Sequence, residues 1–424
     1  MPQLLIISQV YPPDPAAVGQ HICDVAEEMV RRGWTVTVWT AARGYENPAV
    51  RYPPRELRAG VRVRRLPFSS FGKGSISVRL VAQLLFMIQA MLRAMVTRGP
   101  TAILVSTSPP FAGFGGYVLS VVRRVPLVWW VMDINPDQMV TSGRLLARSP
   151  IARIFEWMNC RTLVRARDVI VLDRFMRDRI LGKAPVAAKL HVVPPWPHDN
   201  VLADIPHESN AFRRQHGLAD KFVVMYSGNH GYSTPLDTLL EAATRLRHES
   251  RLTFVFIGGG VAKKEIDAMV ARDAPPNILS LPYQPLADIR YSLSAADVHV
   301  VSIANEGVGI VHPCKVYGAL SIGRPVIALA PAASYVADIL DRHRVGWLIE
   351  HGAVERLSAL LLQFMAMPKN ELAAMGQAAK EAVHACYSRD RHLASVCDII
   401  EGTPAGSPAE ADEGRDAGVR RQLA

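Results

Sequence analysis

The stretch Asn305-Glu306-Gly307-Val308-Gly309-Ile310-Val311-His312-Pro313-Cys314-Lys315-Val316-Tyr317-Gly318-Ala319-Leu320-Ser321-Ile322-Gly323-Arg324-Pro325-Val326-Ile327 links two short apolar runs, Val298–Val301 before it and a second opening at Val326. An acid and two closely spaced glycines follow the first run. Pro313-Cys314-Lys315 then opens a helical segment, and Gly323-Arg324-Pro325 turns the chain into the second run. Strand, loop, helix and strand in that order form the crossover unit of a parallel sheet. Such sheets bind ligands beyond the carboxyl ends of their strands. The reading therefore gathers Glu306, Gly307 and Lys315 at one sheet edge, with Lys315 beside the Gly323-Arg324-Pro325 turn.

The same alternation extends outward. Phe222–Ser227, Leu252–Ile257 and Ile278–Leu281 read as strands, separated by helical patterns over Pro235–His248 and Ala262–Ala271. Further on, Val354–Met367 and Asn370–Ala385 have helical periodicity, and Asp390–Glu401 is a last amphipathic piece. Before residue 200 the pattern occurs once more. Strand-like runs at Leu4–Ser8, Thr35–Thr40, Val61–Leu66, Ile103–Ser106, Val125–Val131 and Asp168–Leu172 alternate with helices over Gly19–Arg32, Val78–Val96, Phe111–Val122 and Ile151–Arg165. Between the halves, Pro194, Pro195 and Pro197 in Val192–Asn200 forbid continuous helix or ladder pairing, which marks a linker. The sequence thus predicts an α/β chain of two doubly wound, Rossmann-like domains, 1–200 and 201–386, followed by a helix over 387–401. The final 402–424 has hardly any large apolar side chain to offset the entropy of ordering and reads as a disordered tail.

With 424 residues, 49% of them hydrophobic and 20% charged, the chain can bury two large cores. Its charge is uneven: residues 1–200 carry 26 Lys and Arg against 13 Asp and Glu, and the remainder 22 against 25. A basic front half, with Arg62, Arg64 and Arg65 among its charges, suits an anionic membrane surface, a polyanionic partner, or simply a solvated face. No base-reading motif or stacking stripe accompanies it, so a nucleic-acid partner is not expected. The five cysteines, Cys23, Cys160, Cys314, Cys386 and Cys397, match no C-x-x-C spacing and read as free thiols of a reducing compartment. Met1–Ser8 lacks a basic leader region and a cleavage site, so its apolar run is a first buried strand and the chain is expected in the cytoplasm. Val78–Val96 approaches the length of a membrane span, but Arg79, Gln83, Gln89 and Arg93 interrupt it close to one face. It reads as an amphipathic core helix, or as a helix lying in peripheral contact with the inner face of the cytoplasmic membrane.

Four loops at strand ends are unusual. Tyr11–His21 leads into a helix opening near Gly19, whose free N–H groups and dipole suit a phosphate or a sugar oxygen. Ser227-Gly228-Asn229-His230-Gly231 has the strand-to-helix setting of a diphosphate site but is neither G-x-G-x-x-G nor a Walker loop. Gly258-Gly259-Gly260 closes the next strand as a ligand contact or a plain tight turn. The fourth is the stretch from Asn305. His21, His312 and Glu156 are weaker candidates, since isolated residues of these types are more often structural.

Several pieces in order resemble glycosyltransferase family 4, and within it bacterial exopolysaccharide and O-antigen enzymes of the colanic acid type. They are Ile7-Ser8-Gln9-Val10-Tyr11-Pro12-Pro13, His21–Arg32 with Gly33-Trp34-Thr35-Val36-Thr37-Val38, Ser106-Thr107-Ser108-Pro109-Pro110, Tyr226-Ser227-Gly228-Asn229, Leu281-Pro282-Tyr283-Gln284-Pro285, and Pro313-Cys314-Lys315-Val316-Tyr317 with Gly323-Arg324-Pro325-Val326-Ile327. The resemblance runs to about Glu401. It implies a GT-B fold, an acceptor-binding front domain facing a donor-binding rear domain across a cleft, with the last helix crossing back to the front. It also implies that Gly228, Asn229 and the helix opening at Lys315 face the donor diphosphate, that Leu281, Pro282, Tyr283 and Gln284 frame the nucleobase, and that Glu306 holds donor-sugar hydroxyls. Gly19, His230, Gly258 and Gly307 are further candidate donor contacts on these loops. In Trp130-Val131-Met132-Asp133-Ile134-Asn135-Pro136-Asp137, Asp133 is the candidate to contact the acceptor hydroxyl or the donor sugar, or else a helix cap. The chain departs from the family where a second glutamate is replaced by Gly318, where Met132 stands for a common histidine, and in the spacing from Glu306 to Gly318.

Glycosyl transfer puts negative charge on a leaving diphosphate while the sugar becomes oxocarbenium-like, so positive charge and oriented oxygens are both required. Lys315 and the Gly228–Gly231 loop suit the first need without a metal, and no Asp-x-Asp occurs. No cofactor or metal is expected, the nucleotide-diphosphate sugar being a substrate. The resemblance implies a retaining transfer to a lipid-linked or polysaccharide acceptor in surface polysaccharide (exopolysaccharide or lipopolysaccharide) synthesis. Two other readings share the fold. A sugar-nucleotide epimerase has no need of an acceptor groove or a basic surface, and a binding-only relative would account for Gly318 and Met132.

Overall fold

The computed structural model describes residues 1–44, 47–69, 76–197 and 204–403. Of these, 1–197 with 390–403 make one compact unit and 204–389 the other. In the front unit the strands are β1 (Gln3–Ile7), β2 (Thr35–Ala41), β3 (Arg55–Arg58), β4 (Val61–Leu66), β5 (Ala102–Val105), β6 (Leu127–Trp130), β7 (Asp168–Val171) and β8 (Leu190–Val192), in the order β3-β4-β2-β1-β5-β6-β7-β8. Around them lie α1 (Ala17–Arg31), α2 (Ile76–Val96), α3 (Ala112–Arg123), α4 (Asp137–Thr141), α5 (Pro150–Arg165) and α6 (Arg174–Leu181). The central strands β5 and β6 are buried at every position, as strands covered on both faces must be.

Only β3 runs antiparallel, pairing Arg55 with Arg64. Its Arg-Glu-Leu-Arg sequence has no apolar run to announce a strand, and its charged, largely exposed side chains blunt the sheet edge. The pairing explains Arg65, whose place on a basic surface the structure corrects. Its side chain is wholly buried, held by Glu56 at 2.6 Å and by the carbonyls of Pro53 and Pro12 at 3.2 and 2.8 Å. Trp196, in the proline-rich segment, is likewise buried: its Nε1 donates to Asp24 at 2.7 Å and its ring lies edge-on to His21 at 4.7 Å.

The rear unit contains β9 (Phe222–Asn229), β10 (Leu252–Gly259), β11 (Ile278–Leu281), β12 (Val298–Ser302), β13 (Val326–Leu329) and β14 (Gly346–Ile349), all parallel, in the order β11-β10-β9-β12-β13-β14. Its helices are α7 (Ala211–Gln215), α8 (Asp237–Arg245), α9 (Val261–Asp273), α10 (Ile289–Ser294), α11 (Lys315–Ser321), α12 (Tyr335–His343), α13 (Val354–Ala366) and α14 (Lys369–Cys386). Strand side chains alternate between two cores. Val224, Tyr226, Phe254 and Phe256 pack with α8 and α13, whereas Val223, Met225 and Val255 pack on the opposite face. Helices on both faces make the unit doubly wound. The strand order reverses between β9 and β12, the place where open α/β sheets leave a crevice.

The last helix, α15 (Arg389–Glu401), packs into the front unit, burying Leu393, Val396, Cys397, Ile399 and Ile400. Arg32 pairs with Asp398 at 2.6 Å and with Glu401 at 2.8 Å, Trp34 Nε1 donates to Glu401, and Arg167 donates to the carbonyls of Ile399 and Ile400. Of the expected tail only Gly402 and Thr403 lie within the described residues.

Two differences from the sequence reading have a physical cause. β9 runs two residues past Ser227 because Gly228 and Asn229 continue the ladder opposite Gly258 and Gly259. The Gly323-Arg324-Pro325 turn does not lie beside Lys315. Helix α11, about 10 Å long at seven residues, carries the chain back to the amino ends of the strands. There Arg324 donates to Ala296 O at 2.7 Å and pairs with Asp204 at 2.8 Å.

His299, on β12, is fully enclosed and donates from Nε2 to Leu293 O at 3.0 Å. Burial pulls its pKa down to about 4, and burial does the same to His230. Both therefore favour the folded state while neutral. That contribution is complete above the free-imidazole value near 6.5 and is lost as pH falls toward 4. The melting temperature is expected to drop by several degrees over that interval, and the drop should be smaller in His299→Gln, as read by thermal melts at stepped pH.

Candidate functional site

The loops after β9, β10, β11 and β12 all leave the carboxyl edge of the rear sheet. Gly228, Gly258 and Gly260 have φ of 141°, 134° and 126°, in the region that side chains rarely adopt. The missing side chains also make room. A Cβ on Gly258 would lie 1.9 Å from Gly228 O, and one on Gly228 would lie 2.0 Å from Lys315 Cε. The hydrocarbon of Lys315 thus runs across Gly228. Its Nζ stands 5.2 Å over the ring of Tyr226 and 3.5 Å from Asn229 O, which also accepts from Tyr226 Oη at 2.6 Å. The sequence singled out Lys315 and Gly228 but not Tyr226 beneath them. Nothing in its strand context separates a platform tyrosine from a core one.

The imidazole of His230 is turned inward. It is buried, lies 4.7 Å edge-on to Tyr226 with Nδ1 2.9 Å from Gly228 O, and is neutral at pH 7 with a pKa near 4. Its main chain is also engaged, the N–H donating to Gly259 O and the carbonyl accepting from Ala262. His230 supports the loop from below, and Lys315 carries the positive charge there.

Glu306 lies exposed in a short turn after β12. Ala304 N donates to Ser233 O at 2.9 Å, which ties this turn to the loop following β9. Gly307 is buried, its carbonyl accepting from Ile310 and Val311. Beyond β11, the half-exposed ring of Tyr283 crosses Gly259, where a Cβ would meet its Cε2 at 2.9 Å. Pro282 is exposed, and Gln284 Nε2 turns back to Pro282 O at 2.9 Å. Leu281 is the last residue of β11. A Cβ at Gly318 would have only ordinary contact with Leu293, so packing does not demand glycine there. Among the described residues no group of His, Cys, Asp or Glu side chains is arranged to hold a metal ion.

In the front unit the sheet reverses between β1 and β5, and the loop after β1 meets the loop after β5 through Gln9 N and Ser108 O at 2.8 Å. Gly19 lies inside α1 with its N–H bonded to Ala16 O, and it lets the helix approach Tyr11 N to the 3.0 Å where a Cβ would sit. It is a packing residue, with no free N–H to offer. Asp133 follows β6, its N–H donating to Thr107 Oγ1 at 3.2 Å. It lines a small cavity with Trp129, Asn135, Asn159 and Lys183. No hydrogen bond or ion pair from a described residue reaches its carboxyl. With no counter-charge, desolvation pushes it up to about 6. The buried Trp129 Nε1 also lacks an acceptor among the described residues. Lys183 is committed elsewhere, to Asp137 and Glu156 at 2.8 Å, which makes Glu156 a structural partner. Trp129 and Lys183 carry no motif; Trp129 is on β6 and Lys183 just past α6, and only the fold brings them to the cavity at Asp133. His312 donates to or accepts from Tyr317 Oη at 2.9 Å and packs against aromatic rings.

Two parallel-sheet units, each with glycine-shaped or acidic loops at its carboxyl edge, are the architecture of GT-B glycosyltransferases. Residues 16–196 match the model of the glycosyl transferase 4-like domain, and residues 208–382 that of the glycosyl transferases group 1. The chain belongs to glycosyltransferase family 4 and is a transferase enzyme. It is 25% identical over 390 residues to a colanic acid biosynthesis glycosyl transferase of Escherichia coli (strain K12), covering 88% of this chain and 94% of that one. Among solved structures it shares its fold with sucrose-phosphate synthase from Thermosynechococcus elongatus, with TM-score 0.73, 16% identity and coverage of 95% and 99% of the two chains. It also shares it with the Anabaena protein HepE in complex with UDP and glucose, with TM-score 0.68, 18% identity and coverage of 95% and 100%.

Gly258→Ala sets a methyl group against a carbonyl fixed by the β9–β10 ladder, so the glycine loops must come apart. The variant is expected to lose activity by about 10²-fold or more and to melt lower, since neither the clash nor the positive φ can relax locally. A variant with wild-type melting and turnover would show that the two loops need not touch.

Proposed function

We propose that the enzyme transfers a sugar from a nucleoside-diphosphate sugar onto a glycan or lipid-linked acceptor in surface polysaccharide synthesis, with retention of anomeric configuration. The rear unit takes the donor and the front unit the acceptor. The observation that carries this reading is Lys315, a cation laid across Gly228 at the switch point of the rear sheet. An ammonium there meets the charge that builds on the leaving diphosphate. The exposed Tyr283 suits stacking against a base, and Glu306 suits sugar hydroxyls. The Anabaena neighbour, whose structure holds UDP and glucose, and the colanic acid relative support this donor and acceptor class. Retention is the course implied by the family resemblance, and it is read from the anomeric configuration of the product.

Asp133 is the group through which the front unit acts on the acceptor hydroxyl. Its carboxyl, raised to about 6, is ionised at pH 7 and protonated below its pKa, so a role as hydrogen-bond acceptor or base is lost on the acid side. The rate is expected to climb with pH through about 6, and this limb should vanish in Asp133→Asn. An unchanged limb would assign the titration to another group.

Incubation with a panel of nucleotide sugars, scoring transfer, hydrolysis and isomerisation, tests the reaction class. With the active donor, Lys315→Ala should lose on the order of 10²-fold in turnover, the cost of one strong charge-stabilising donor. Glu306→Gln should lower turnover while leaving binding of the free nucleoside diphosphate nearly intact, because base and phosphates are held elsewhere. Normal turnover and donor affinity in Lys315→Ala would overturn the assignment of the diphosphate site.

A further inference from the structure

On the front unit, α3 packs against both α2 and α5. The side of α2 facing the core presents Ala82, Phe86, Ala90 and Ala94, all buried. Its other side presents Val81, Leu84, Ile88, Leu92 and Met95, spaced by three or four residues along one stripe, and this stripe is exposed, Leu92 by 63%. A helix that is apolar on both sides belongs inside a protein or a membrane, yet here one side is bare. α5 repeats the feature with Ile151, Ile154, Trp157 and Val164, Trp157 being 52% exposed. Between them Phe114 of α3 lies 5.3 Å from Tyr117 and 5.8 Å from Trp157, ring to ring. The apolar surface therefore continues from α5 onto α3, which packs against α2, and three neighbouring helices bear exposed apolar side chains where an ordinary surface has them singly.

Charge distinguishes the possible occupants. The three helices carry six arginines and a single acid, Glu156, which is paired with Lys183. Neither α2 nor α3 has any acidic residue. A second copy docked on this face would set arginines against arginines with no carboxylate to meet them. A surface rich in lipid phosphate supplies both an apolar interior and the opposite charge. Trp157, with Arg161 held 5.8 Å over its ring, combines an apolar body with a cationic edge, as suits a membrane–water boundary. Among the described residues no helix is long and apolar enough to cross a bilayer, so contact is made in the plane of the surface.

We infer that the α2–α3–α5 face of the front unit docks on an anionic lipid bilayer, its apolar stripe entering the headgroup boundary and its arginines meeting lipid phosphates. This does not depend on which sugar is transferred, and it is tested without turnover. The full chain is floated with vesicles of phosphatidylglycerol and phosphatidylethanolamine, or of phosphatidylcholine alone, at low and high salt. It should float with the anionic vesicles at low salt, and less at high salt or with phosphatidylcholine. The triple variant Leu84→Gln, Ile88→Gln, Leu92→Gln should partition about tenfold more weakly or worse, from apolar area withheld from the bilayer. Arg93→Gln, Arg153→Gln, Arg161→Gln should weaken only the anionic, salt-sensitive part. All six side chains are exposed, so far-ultraviolet circular dichroism and melting should match the wild type. The inference is overturned if the wild-type chain does not float with anionic vesicles at low salt, or if the glutamine variant floats equally well. It is also overturned if sedimentation equilibrium shows a dimer that the glutamine variant loses while neither protein floats, which would make a second copy the occupant.

Discussion

The near-contact of Gly258 with the carbonyl of Gly228, where even a methyl group would be 1.9 Å away, is the constraint on which the rear unit's site depends. Two parallel strands can run that far side by side only if the residues that meet there, Gly228 and Gly258, lack side chains. Because they do, the ladder extends to Asn229 and Gly259, and the carbonyl of Asn229 is fixed where Tyr226 and Lys315 reach it. His230 braces the same loop from inside, and its neutrality belongs to that role. A charged ring there would have to be desolvated beside the ammonium groups of Lys263 and Lys315. The cation that faces outward and the histidine that faces inward are two results of one backbone path.

Much of this was legible along the chain. Buried parallel strands leave continuous apolar runs, and helices between them leave a period near 3.6, so the two doubly wound units and their order could be read directly. Glycines clustered at strand ends marked the candidate site, although a plain tight turn uses them too. The edge strand Arg55–Arg58 was not legible, since a charged edge strand looks like a loop until its partner is known. Position along the sheet was also hidden. Lys315 and Arg324 are close in sequence, but a seven-residue helix places them at opposite edges.

The front unit shows the limit in another form. Asp133 could be picked out because it follows a strand and its segment resembles the family's, but what gives it its character is absence: no ion pair on its carboxyl, the nearby Lys183 being held by Asp137 and Glu156, and a buried indole donor without an acceptor among the described residues. Absence of a partner is a property of packing and has no signature in sequence. Arg65 teaches the reverse lesson, since a basic residue in a basic run proved to be an interior strut. The apolar stripe of α2 was visible as composition, yet its polar interruptions suggested a core helix. Only the burial of Ala82, Phe86, Ala90 and Ala94 reveals that Leu84, Ile88 and Leu92 are left over.

Helix α15 belongs to the front unit although it is made last, after the whole of the rear unit. On a ribosome, where chains emerge at about 5–20 residues per second and domains fold as units, the two halves mature in the opposite order to their synthesis. The rear unit has its full complement of residues first. The front sheet waits, with the groove that receives Leu393, Val396 and Ile400 uncovered and Arg32 lacking Asp398 and Glu401. A chain stalled or cut before residue 390 would therefore leave a folded rear half attached to a front half with bare apolar surface, a natural mark for quality control.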